Sequence, residues 1–140
     1  MDHTRSAFWD DLAENLNDPE FLRAYIVESM QIQTVDRLVN ELDAARAAAG
    51  MTKADVARAI LANDAAIRRL FTQAGGNHTV GTMSAVAAVF GLRLTFEPLP
   101  EAERAHITEP LLTGIADDPH ALAEHLAEMR QSGRKVPASV

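Results

Sequence analysis

The chain has no cysteine among its 140 residues, which excludes disulfides and thiolate metal sites. That suits a reducing cytoplasm, the expected location. Aromatic residues are scarce, at 5% against a hydrophobic fraction of 47%, so alanine and aliphatic side chains must build the core. Such a composition favours an all-helical fold. No apolar run approaches the ~20 residues a membrane span needs, so no membrane partner is expected. The N-terminal MDHTRSAFWDD is too acidic for a signal peptide.

Catalytic and metal-binding patterns are also missing. There is no GxSxG nucleophile elbow and no GxxxxGK[ST] phosphate loop. The histidines are His3, His78, His106, His120 and His125, and none shows the i, i+4 spacing of a HExxH site. His120 and His125 stand five apart and point to different sides of a helix. Asp10-Asp11 and Asp117-Asp118 are adjacent pairs, which do not converge on one point. No enzyme activity, metal or cofactor is expected.

Positive charge is in short supply, with 13 basic against 20 acidic side chains and a net charge of −7. Its distribution is uneven. Residues 1–34 carry 2 basic and 7 acidic groups, residues 35–98 carry 7 and 6, and residues 99–140 carry 4 and 7. Lys53, Arg58, Arg68 and Arg69 cluster in the least acidic third. Acidic flanks weaken non-specific DNA binding and suit a basic protein partner.

What the chain does have is helical periodicity broken by strong stop signals. Phe8, Leu12 and Leu16 recur every four residues over an arm helix from Ser6, with Phe8 and Trp9 as its docking anchors. Asp18-Pro19 then supplies a cap and a first helical residue. A helix follows through Phe21, Leu22, Tyr25 and Ile26 towards Met30; a break near 31–34 and a continuous helix are both open. Val35, Leu38, Val39, Leu42 and Ala45 mark a core-facing helix that ends at Gly50. Gly75-Gly76-Asn77 reads as a loop. Thr79 caps a helix that buries Met83, Val86, Ala87 and Phe90 and stops at Gly91. Leu92 to Glu97 alternates apolar and polar residues as a strand would, and a lone strand needs a partner, such as the same strand in a second copy. Leu92, Leu94 and Phe96 are its candidate dimerisation residues. Beyond Pro98 and Pro100, a helix is expected from Glu101 to about His106. Leu111, Leu112 and Ile115 form a small apolar group. Asp118-Pro119 opens a last helix with Leu122, Leu126 and Met129, and residues 134–140 read as a frayed tail.

Between the third and fourth of these helical stretches lies TKADVARAILANDAAIRRLF, residues 52–71. Apolar anchors at Val56, Ala57, Ile60, Ala62, Ile67 and Leu70 fit two short helices joined by a tight turn. Ala57 is small enough for the helices to cross closely, and Asn63 can cap the second. Two helices held this way can present the second to the major groove of DNA.

With LDAARAAAGMTKADVARAI, NDAAIRRLF and NHTVGTMSAVAAVFGLRL in sequence, residues 35–97 resemble the lambda repressor/Cro-like, or XRE, helix-turn-helix family. Together with LNDPEFLRAY and the terminal strand, the chain is also similar to HigA-like antitoxins of toxin–antitoxin operons. The resemblance implies phosphate contacts from Thr52 and Lys53. It implies base reading from Asp64, Ala65 and Arg69, with Asn63 and Arg68 alongside, and backbone contacts from His78 and Thr79. Arg69 to guanine is the sharpest of these, since arginine–guanine is the commonest specific contact. Three departures stand out, one of them the extension after Pro98, which lies outside the core family pattern. The turn position that is usually glycine is Leu61, where a left-handed backbone would cost about 1–2 kcal/mol; an altered turn or a longer first helix would avoid it. The leading base-reading positions are Asp64 and Ala65, which offer little to DNA.

The expected fold is all-α: a compact helix-turn-helix bundle at 35–98, an N-terminal helical arm at 1–34, one short strand, and a helical extension at 99–133 before the tail. The expected function is an antitoxin and autorepressor. It would bind operator DNA as a homodimer and neutralise a small basic, ribonuclease-like toxin. A stand-alone regulator with a partner- or ligand-responsive C-terminal region is the alternative.

Overall fold

A computed structural model describes residues 3–72 and 78–132, with side chains from residue 7 onward. The described residues form seven α-helices: α1 His3–Asn15, α2 Pro19–Ala48, α3 Lys53–Ala59, α4 Asp64–Thr72, α5 Val80–Val89, α6 Glu101–Thr113 and α7 Pro119–Ser132. The all-helical expectation holds. No helix among them is long and apolar enough to cross a membrane.

The expected strand over Leu92–Glu97 is not formed; residues 92–100 carry no regular structure. A strand is stable only when its backbone groups pair with a neighbour, and the described residues offer no second strand. The three residues assigned to its seam behave differently from one another. Leu94 packs against the neighbouring core, Leu92 is half exposed, and Phe96 is fully exposed.

The chain divides into two compact units: residues 1–31 with 97–132, and residues 32–96. In the first, the N-terminal arm and the C-terminal extension fold together. Leu12, Leu16, Leu22, Ile26, Ile107, Leu122, Leu126 and Met129 bury one another. Burying a leucine or isoleucine side chain contributes about 1.5–3 kcal/mol, so this cluster is the unit's main source of stability. Trp9 packs on it, while Phe8 meets Trp9 edge-on and stays half exposed. The two Asp-Pro signals work as expected. Asp18 Oδ1 accepts from the Glu20 N–H at 3.2 Å, and Asp118 Oδ1 accepts from the Ala121 N–H at 3.2 Å.

Helix α2 runs through 30 residues without a break, because no glycine or proline interrupts it between Pro19 and Gly50. Helix α6 extends past His106, through a buried Pro110, to a left-handed Gly114. Arg23 holds that end by donating to the carbonyls of Leu111 at 3.1 Å and Leu112 at 3.3 Å.

The second unit buries Val39, Leu42, Val56, Ala57, Ile67, Leu70, Phe71, Met83, Val86 and Ala87. Apart from Phe71, these are positions the helical spacing singles out; Val35, Leu38, Ile60 and Ala62 from the same expected set pack against the cluster partly buried. Phe90 is only partly buried. The expected loop at Gly75-Gly76-Asn77 and the tail at 134–140 lie outside the described residues.

Candidate nucleic-acid interface

The site residues expected from sequence, Leu92, Leu94 and Phe96 included, all fall in the second unit, and each position around α3 and α4 has a local cause. Helix α2 ends at Gly50, whose left-handed φ of 68° lets the Gly50 and Met51 N–H groups turn back to the Ala47 and Arg46 carbonyls. Arg46 is buried, and its guanidinium donates to Asp43 Oδ1 at 2.8 and 3.0 Å. It also donates to the Met51 carbonyl at 2.9 Å and lies over the Phe71 ring, 5.6 Å from its centroid. One buried cation thus ties the end of α2 to α4 and fixes the chain entering α3.

At that entry Thr52 and Asp55 cap each other. The Asp55 N–H donates to Thr52 Oγ1 at 3.0 Å, and the Thr52 N–H donates to Asp55 Oδ2 at 2.9 Å. The backbone N–H of Thr52 is the main reason the Asp55 carboxyl is held below its ordinary value; the Thr52 hydroxyl and Arg58 push the same way. Arg58 pairs with Asp55 and is thereby engaged. Asp55 is a residue the sequence reading missed, although Thr-x-x-Asp ahead of an apolar run is the signal for such a box.

Between α3 and α4 the chain adopts neither of the two ways around a leucine in the turn. Helix α3 stops at Ala59, and Leu61 takes the left-handed conformation itself, with φ 55°. The Ala62 N–H bonds to the Ala57 carbonyl at 2.8 Å and the Leu61 N–H to Arg58 at 3.3 Å. This is the same pair of closing bonds that follows α2 at Gly50, and that follows α5 at Gly91. Leucine stands where the other two turns have glycine, and its side chain is 95% exposed.

Asn63 then caps α4, its Oδ1 accepting from Ala65 at 2.8 Å and from Ala66 at 3.3 Å. Asp64 forms an ion pair with Arg68 one turn on, with both side chains partly exposed. Ala65 and Arg69 are exposed, and Arg69 has no ion-pair partner among the described residues. Thr79 caps α5 by accepting from the Thr82 N–H at 3.1 Å, while its hydroxyl meets that of Thr82 at 2.9 Å. His78 is half-buried, with its Nε2 enclosed and without a hydrogen-bond partner among the described residues.

A groove of about 730 Å³ opens beside the entry to α3, lined by Asp43, Arg46, Thr52, Lys53, Arg68 and Phe71 among others. It brings together Thr52, Lys53 and Arg68 of the expected contacts. Asn63, Asp64, Ala65, Arg69, His78 and Thr79 do not line it. Among the described residues no group of three or more histidine or carboxylate side chains could hold a metal ion. Comparison with protein-family models, curated proteins and solved structures returned no match.

Proposed function

We propose that the second unit is a helix-turn-helix that binds operator DNA, and that the chain is an antitoxin and autorepressor. The carrying observation is the α3–turn–α4 unit. Two short helices cross at a buried alanine, and the turn is closed by a left-handed residue despite its cost. Asn63 caps the second helix. Arg69 then supplies a guanidinium free to read guanine, and Thr52 with Lys53 lies at the mouth of an open groove where a phosphate can sit. The reading takes the protein as a homodimer, with half-sites about one helical turn apart and residues 92–97 as the seam. Its acidic first unit is the candidate surface for a small basic toxin.

One observation favours a second reading. Asp64 occupies a leading base-reading position and engages Arg68, which suits an interaction module that has lost DNA binding. A fluorescence-anisotropy titration separates the two, using the gene's own upstream DNA and a scrambled control at two salt concentrations. Tight, salt-dependent binding that prefers the upstream DNA supports the repressor. Equal affinity for both DNAs at both salts refutes it.

A further inference from the structure

His106 and His125 lie outside the proposed DNA interface, in the first unit. Their rings stack across α6 and α7, with centroids 4.6 Å apart and planes inclined by 23°. The Nε2 of His125 is closed off from solvent and has no hydrogen-bond partner among the described residues. Both helices contribute to the same apolar cluster, through Ile107 on one side and Leu122, Leu126 and Met129 on the other. Two neutral imidazoles stack here without placing a charge against the apolar cluster. A proton on His125 places a charge where burial disfavours it and beside a second ring that can also charge.

The charged groups around His125 can be weighed. Burial acts most strongly and holds its pKa below the usual histidine value of 6.5, and His106 pushes the same way. Glu103 from α6 and Glu128 from α7 oppose them and are outweighed. Of the charges on α1 and α2, Asp10 pairs with His120 of α7 at 3.2 Å and Glu28 with Arg130 of α7 at 3.5 Å.

We infer that the contact between α6 and α7 is an acid-sensitive latch, in which protonation of His125 against the stacked ring of His106 loosens one helix from the other. The sign follows from linkage. The unfolded chain takes up a proton near pH 6.5 and the folded chain only below that, so the latch is fully closed above pH 6.5 and weakens as the pH falls. One proton allows at most about a tenfold loss of the folded-to-open ratio per pH unit.

Amide hydrogen exchange on the full chain at pH 7.5 and pH 5.5, corrected for intrinsic rates, tests this. Protection in α6 and α7 should fall on acidification, approaching tenfold per unit in the window below pH 6.5. His125→Phe keeps a flat ring that cannot charge, and should lose most of that fall. Equal protection at both pH values, or the same loss in the variant, overturns the inference. Should the variant fail to fold, the wild-type His125 ring proton can be titrated by NMR. A midpoint at or above 6.5 sinks the proposal.

Discussion

Leu61→Gly should stabilise the second unit. A leucine at φ 55° carries a left-handed penalty of about 1–2 kcal/mol, which glycine does not. Glycine makes the unfolded chain more flexible, which returns about 0.5–1 kcal/mol of that gain. Leucine's side chain is 95% exposed, so its removal forfeits almost no packing. The difference is a stabilisation of about 0.5–1 kcal/mol, or roughly 2–8 °C in Tm for a unit of this size. Urea unfolding followed by far-UV circular dichroism measures it, with Leu61→Ala as the control. Alanine keeps the left-handed strain and should not gain. Asparagine tolerates the conformation and should fall between the two. If glycine proves no more stable than alanine, the backbone argument is wrong and Leu61 is held by contacts rather than strained. A gain in stability with a loss of DNA affinity would be informative in another way. It would mean that strain at this turn sets the angle of α4.

Four further outcomes are expected. Arg69→Ala should weaken DNA binding by about 1–3 kcal/mol at one base position and relax specificity there; equal loss on every sequence in a competition titration would argue against base reading. Lys53→Ala should weaken binding to all sequences alike and flatten the salt slope by about one unit, and an unchanged slope removes Lys53 from the phosphate contacts. Phe96→Asp should shift a dimer to monomer in sedimentation; a dimer that persists places the seam elsewhere. Arg46→Met leaves Asp43 buried without its cation and should cost about 3–5 kcal/mol in urea unfolding, of which Asp43→Leu in the same chain should restore a large part.

Much of the fold was legible because its signals are local. Asp18-Pro19, Asp118-Pro119, Thr79 and Asn63 each act within three residues of themselves, and each caps the helix its position suggests. Periodicity likewise names the core of the second unit, because a helix of known pitch puts those positions on one side. Non-local pairing was not legible. Nothing in the spacing of Leu12 and Leu16 says that they meet Leu122 and Leu126 a hundred residues on. Alternation over Leu92–Glu97 failed for the same reason. A period of two shows which face a strand would have, and says nothing of whether a neighbour exists to accept its hydrogen bonds. Ser29, Gln33, Asp36, Asp43 and Arg46 expose another gap. They are buried along α2, yet polar residues at helical spacing read as a solvent face until their partners are known.

The candidate site repeats this division. Residue types and caps around α3 and α4 were legible, as was the i, i+4 spacing that lets Arg68 pair with Asp64, while the engagement of Arg58 by Asp55 was not. These pairs bear on whether a chain of net charge −7 can bind DNA at all. Taken by structural unit, residues 1–31 with 97–132 hold 15 acidic and 4 basic side chains, net −11, and residues 32–96 hold 5 and 7, net +2. The overall charge therefore averages two unlike units. In the second, Asp55 and Asp64 sit in exposed pairs that solvent screens, so a phosphate can compete for Arg58 and Arg68 at little cost. Arg46 cannot be recruited in this way, since its charge is buried against Asp43. On the proposed reading the cations that meet DNA are then Lys53 and Arg69, with Arg58 and Arg68 released on binding. On the same reading, acidity in the first unit would lower non-specific affinity, which leaves discrimination to Arg69 and makes it the residue whose loss tells most.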